Sequence, residues 1–262
     1  MNLIVEFYKN MLKKINYNLS RTKIISNTTK FKSIFLLCII CNLINSFNIP
    51  TDLLFENAIT YNISTGLYQI LLFITLFLNS IYTMNVYNED STTFLRFENK
   101  KNYLSSLILQ ITLMNIITYL IYSICGLIFV TLKYYGNINF IQFEFYNVSY
   151  FIFNGYLYFK YFVIFNLLIL IVILIYKNIN RIIGSAFGMF LYMLKDNYAY
   201  SLDKIQSISD IHLFYGYYLY PFEYSSFTLD LCSFFLQCIL LLLIYELLKY
   251  INIKYFKILV GD

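Results

Sequence analysis

Six apolar runs constrain this chain more than any other feature, because each approaches the length at which a helix can cross a bilayer. A transmembrane helix needs about 20 mostly apolar residues. The runs extend from about Ser33 to Ile49, Thr65 to Tyr87, Tyr103 to Leu132, Leu157 to Tyr176, Ile179 to Leu194 and Leu231 to Leu248. The first is short and is closed by Pro50, Asp52 and Glu56. The third is long enough to tilt in the bilayer or protrude from it, and the fifth is the weakest of the six.

Composition agrees with the runs. Hydrophobic residues make up 60% of the 262 positions and charged residues 13%, with a mean hydropathy of +0.64. Soluble domains average about 45–50% apolar and about 25% charged, so a water-soluble fold of this size would lack the charge to cover its surface. The expected fold is therefore all-α, a polytopic membrane bundle of about six transmembrane helices. No small-residue cleavage site follows the first run, so no cleaved leader is expected.

The placement of Lys and Arg sets the orientation, since cytoplasmic segments carry the excess. With the N-terminus inside, the inner segments hold seven basic residues before the first run. Three more lie between the second and third runs, two, Lys177 and Arg181, where the fourth run gives way to the fifth, and three after the sixth, which is fifteen of nineteen. The other four are Lys133, Lys160, Lys195 and Lys204. Both termini are expected in the cytoplasm of a cell-membrane protein, with 49–62, 134–150 and 196–229 facing outward.

The whole chain, 1–262, reads as one domain, with an N-terminal segment 1–30, an inner loop 88–102 and an outer loop 196–229. Within 3–15, Leu3, Ile4, Phe7, Met11, Leu12 and Ile15 recur at helical spacing while Lys9, Lys13 and Lys14 lie off that stripe. An apolar face beside a basic face suits an amphipathic helix in the inner headgroup layer. Aromatic residues crowd 143–162 and 214–224, both on the outer side, as Tyr rings do at a membrane interface. Cys38 and Cys41 form a CxxC inside a span; with no second pair and no neighbouring His they read as small packing residues.

No catalytic, metal or cofactor motif is present: no HExxH, no GxSxG and no GxxxxGK[ST] phosphate loop. The chain is not expected to be an enzyme, and nucleic acid is not expected as a partner. His212 is the single histidine and lies in the outer loop. The spans carry amides instead of charges: Asn42, Asn45, Asn79, Gln110, Asn115, Asn166 and Gln237. Hydrogen bonds between helices are the leading reading of these amides, and a polar conduit is the alternative. Lys160 and Glu246 sit near span ends and are expected to snorkel outward, with Glu246 also spaced to pair with Lys249. Gly184 and Gly188 form a small-residue pair that fits either packing within the chain or a dimer face.

The inner loop is the most specific segment. Glu89 and Asp90 open it, Ser91 can cap a short helix carrying Phe94, Leu95 and Arg96, and Lys100, Lys101 and Tyr103 lead into the third span. With the basic N-terminal helix, six spans and an enlarged outer segment before the last, this chain resembles the permease subunits of ABC-2-type ABC transporters. The Gly and Pro common in that family's loop are replaced by Thr92, Thr93, Phe97 and Glu98. The resemblance implies an ATP-binding subunit docked on 89–101, a second permease chain and surrounding membrane lipid as partners. It also implies export of cargo, for which the uncharged spans suggest an amphipathic peptide or lipid-like molecule. The alternative is a membrane protein with no motor, such as a bacteriocin-immunity or sensor-like protein.

Overall fold

The computed structural model describes residues 15–50, 55–64, 66–89, 100–134, 144–145, 148–178, 184 and 227–255. These are almost entirely helical. Helix α1 covers residues 15–26, followed by α2 (Thr29–Phe47), α3 (Phe55–Ser64), α4 (Gly66–Glu89), α5 (Lys100–Lys133), α6 (Tyr150–Asn178) and α7 (Phe227–Tyr255). Two-residue strands β1 (Glu144–Phe145) and β2 (Val148–Ser149) pair antiparallel just before α6. Among the described residues, α2, α4, α5, α6 and α7 each contain a segment long and apolar enough to cross a membrane. The molecule is a multi-pass membrane helix bundle.

Three of those helices, α5, α6 and α7, extend past both ends of the apolar runs. Helix α6 begins at Tyr150, well before Leu157, and α7 continues to Tyr255. Helix α5 has 34 residues, about 51 Å at 1.5 Å per residue, against a hydrocarbon layer of about 30 Å. The expected tilt or protrusion of the third span follows from that excess. The expected fifth span, 179–194, and the amphipathic helix, 3–15, fall almost wholly outside the described residues.

Helix directions can be read from the residues that meet. Asn18 meets Ser106, Thr22 meets Gln110 and Asn42 meets Tyr122, so α1 and α2 run parallel to α5 along its length. Tyr68 meets Tyr122 while Asn79 meets Asn115, so α4 is antiparallel to α5. Gln69 meets Tyr161 and Phe73 meets Phe165, so α4 and α6 are parallel. Tyr156 packs on Phe234, and Lys160, one turn on, lies within electrostatic range of Cys238, so α6 and α7 are parallel too. The chain therefore leaves α6 at one end of the bundle and enters α7 at the other.

Thr28 separates α1 from α2. Its hydroxyl accepts the Phe31 amide at 3.3 Å, donates to the Ile25 carbonyl at 2.7 Å and receives the Tyr82 hydroxyl at 2.6 Å. A side-chain cap of this kind satisfies an amide that the first helical turn leaves open. Helix α3 departs from the sequence expectation. Residues 49–62 were read as an outer loop, yet 55–64 are helical, and Ala58, Ile59, Thr60, Asn62 and Ile63 are buried. The helix packs against α4, α5 and α6, and this tertiary burial overrides a sequence too polar to read as a span.

Candidate functional site: a buried polar track along α5

The core carries an unusual load of uncharged polar side chains, strung along α5. At the end where α5 begins, Asn18 and Ser106 exchange hydrogen bonds at 3.1 and 3.3 Å, and Gln110 Nε2 donates to Thr22 Oγ1 at 2.8 Å. Near the middle, Asn115 Oδ1 accepts from Asn79 Nδ2 and from Ser80 Oγ, both at 3.0 Å, and Asn115 Nδ2 donates to Asn166 Oδ1 at 3.1 Å. One amide thus ties α4, α5 and α6 together. Each helix supplies its residue near mid-length, so the node lies near the bilayer midplane.

Beyond the node, Asn42 Nδ2 donates to the Cys38 and Tyr122 carbonyls at 2.9 and 3.0 Å. Asn45 Nδ2 donates to Asn62 Oδ1, linking α2 to α3, and Thr60 Oγ1 donates to Asn154 Oδ1 at 3.1 Å, linking α3 to α6. Gly126 allows the crowding here: a Cβ on it would lie 2.8 Å from Asn42 Oδ1 and 3.3 Å from Asn62 Nδ2. Tyr119 donates to the Tyr158 carbonyl at 2.6 Å, and Gln69 Nε2 donates to the Tyr161 hydroxyl at 3.2 Å.

The track ends in a clamp. Lys133 Nζ donates to the Ser46 carbonyl at 2.7 Å and the Ile49 carbonyl at 2.5 Å, and Tyr134 donates to the Pro50 carbonyl. A cation on the last carbonyls of α2 complements both the open acceptors and the negative end of the helix dipole. This role gives Lys133, one of the four basic residues outside the charge pattern, a structural reason for its place.

The expectation for Lys160 is corrected. It does not snorkel to water: it is 0% exposed, about ten residues into α6, with Nζ 5.8 Å from the Tyr156 ring centre and Cys238 of α7 within electrostatic range. Its side chain points toward the start of the helix, as helical side chains do, and stays buried there. Charged side chains at such depth are rare and mark functional or paired positions. Glu246 does behave as expected, bonding Lys249 at 2.7 Å on the exposed side of α7.

Six of the seven span amides, Asn42, Asn45, Asn79, Gln110, Asn115 and Asn166, bridge helices, as the leading reading had it, and the buried oxygens Asn79 Oδ1 and Gln110 Oε1 have no hydrogen-bond partner among the described residues. Such acceptors suit N–H groups. The aromatic band 143–162 is partly core: Phe153 and Tyr161 are fully buried, while Phe159 is exposed. Of the expected coupling residues, Glu89 ends α4 and Lys100 and Lys101 begin α5. Asp90, Phe94, Leu95 and Arg96 lie outside the described residues, as do Gly188 and His212. Gly184 is buried against α6, where a Cβ would overlap the Tyr176 backbone. Sequence reasoning missed Asn18, Thr22 and Gly126; the i, i+4 spacing of the first two and the lone glycine of the third span were the available signals.

No family model, curated protein or solved structure matches the chain. Fold and site together define a class: a polytopic membrane protein whose spans are joined by buried amides and hydroxyls.

Proposed function

We propose that this chain is the permease subunit of an ATP-driven exporter in the cell membrane, with both termini cytoplasmic. An ATP-binding subunit docks on the loop between α4 and α5, and a second permease chain completes the pathway. The observation that carries the reading is the α4–α5 pair. Its two antiparallel arms flank residues 90–99, and Asn79, Ser80 and Asn115 join them at mid-membrane. A displacement of the loop is delivered along two stiff helices to the node that also holds α6. A ligand can shift such an arrangement only by binding its two states unequally, and ATP bound to the partner supplies that difference. The uncharged amides and hydroxyls buried between the helices, among them Asn79 and Gln110 with open acceptor oxygens, favour a cargo rich in N–H groups, an amphipathic peptide before a lipid-like molecule, over an inorganic ion.

Two measurements test this. Copurification from native membranes is expected to yield a stoichiometric ATP-binding subunit, and Phe94→Asp with Leu95→Asp is expected to release it. If no such subunit appears, the motor-less alternative holds; if the complex survives both changes, docking lies elsewhere. In a cysteine-free background, cysteines placed at Asn99 and Ser207 are expected to differ: an impermeant maleimide on intact cells labels position 207 and spares 99. The reverse pattern refutes the orientation.

A further inference from the structure

Helices α3 and α4 are two pieces of one path. Thr60 of α3 meets Asn154 of α6, and Gln69 of α4 meets Tyr161, 94 and 92 residues apart in sequence. The near-constant offset means that α3 and α4 run along α6 in the same direction, almost in register. The path is interrupted once: α3 ends at Ser64 and α4 begins at Gly66. Ser, Thr and Gly all form helix less readily than Ala, and Gly/Ser pairs are a recurrent place for a helix to bend. The two pieces are held unequally. Helix α4 has 24 residues and joins the midplane node through Asn79 and Ser80. Helix α3 has 10, fewer than a helix needs to persist alone. Side-chain bonds latch it, from Asn45 of α2 to Asn62 and from Thr60 to Asn154 of α6.

Asn45 lies in the last turn of α2, so α3 closes the end of the polar track that lies away from the α4–α5 loop. Ala58, Ile59 and Ile63 are buried there, and the helix packs against α4, α5 and α6. Gly126 of α5 leaves room for the closed position, since an added Cβ would lie 3.3 Å from Asn62 Nδ2. Further along the track come Asn42, one turn before Asn45, and Thr118, one turn before Tyr122. Each is 1% exposed, and Asn42 Oδ1 and Thr118 Oγ1 have no hydrogen-bond partner among the described residues. A buried polar atom left open costs the arrangement that buries it, and water reaching it removes that cost. The closed position of α3 thus carries a penalty that an open one relieves.

We propose that α3 is a lid over this end of the track. It swings about the junction between α3 and α4, parts the Asn45–Asn62 and Thr60–Asn154 bonds, and admits water to Asn42 and then to Thr118. Helices α4, α5 and α6 stay joined at the Asn115 node meanwhile. The lid stands apart from the transport reading, since its motion needs neither ATP nor a motor subunit.

Thiol labelling of the purified full chain in lipid nanodiscs tests it, in a cysteine-free background with a hydrophilic maleimide. Thr118→Cys reports access below the lid, and Ser106→Cys, toward the other end of the track, serves as the control. Thr118→Cys is expected to label slowly. Adding Thr60→Val and Asn62→Ala, which removes both latches, is expected to speed it about eightfold, the factor for two interhelical hydrogen bonds of average strength. Tethering α3 to α2 through Asn45→Cys and Asn62→Cys with a short bis-thiosulfonate linker is expected to suppress it. Thr60→Cys with Asn154→Cys gives a second tether, to α6, should the first variant misfold. The control is expected to label at one rate throughout. Equal rates at Thr118→Cys with α3 tethered and free overturn the lid, as does an absence of labelling once both latches are removed. So does a latch-free variant that speeds Thr118→Cys and Ser106→Cys alike, which marks loosening of the whole bundle.

Discussion

Replacing Asn115 by Leu probes the midplane node directly. Leu keeps the branched skeleton of Asn, though it is bulkier, and removes three hydrogen bonds: those from Asn79 and Ser80, and that to Asn166. Hydrogen bonds between membrane helices average about 0.6 kcal/mol and reach about 1.7. Three average bonds come to about 2 kcal/mol. Ser80 loses least, because its hydroxyl retains the Leu76 carbonyl at 2.8 Å, whereas Asn79 Nδ2 and Asn166 Oδ1 are left facing a hydrocarbon side chain. The expected destabilisation is therefore about 2 kcal/mol, measured by reversible denaturant titration of the purified protein in mixed micelles. A double-mutant cycle of Asn79→Ala with Asn115→Ala separates this pair from general packing, with an expected coupling of about 0.6–1.7 kcal/mol. A coupling indistinguishable from zero, or an Asn115→Leu protein more stable than wild type, would refute the node as a structural tie.

Gly126→Ala is expected to cost about 1–3 kcal/mol through overpacking, because the new methyl meets Asn42 Oδ1 at 2.8 Å. Asn42→Ala in the same chain should recover part of that loss; no recovery would place the strain elsewhere. Lys133→Met removes the clamp on the Ser46 and Ile49 carbonyls and is expected to cost about 1 kcal/mol by the same titration, with Lys133→Arg closer to wild type. Lys160→Met is expected to lower cargo-stimulated ATP turnover, since charges buried in membrane spans mark functional positions. Unaltered turnover would assign Lys160 to packing between α6 and α7.

The apolar runs announced the bundle, and the amides announced its internal bonding, because both depend on residue types that a bilayer forces into few arrangements. The Glu246–Lys249 pair was legible for a similar reason: spacing alone brings the two together on a helix. Other features depend on neighbours distant in sequence. Helix α3 mixes polar and apolar residues, and its burial is decided by α4, α5 and α6. Lys160 lies close enough to the end of an apolar run to suggest snorkelling, but its burial depends on distant neighbours such as Cys238 on α7. Helix α1 reads as a basic tail until Asn18 and Thr22 find Ser106 and Gln110 on α5. The candidate site was thus readable as a set of residues, while its order along α5 required the packing.

The central claim, that this bundle moves an N–H-rich amphiphile when a partner hydrolyses ATP, is tested most directly by turnover. The chain is reconstituted in vesicles with its copurified ATP-binding subunit, and ATP hydrolysis is measured against cationic amphipathic peptides, lipids, sugars and inorganic ions. The account predicts stimulation by amphipathic peptides, reduced when Asn115 is replaced by Leu. Stimulation confined to sugars or inorganic ions, with no response to any amphiphile, would contradict it.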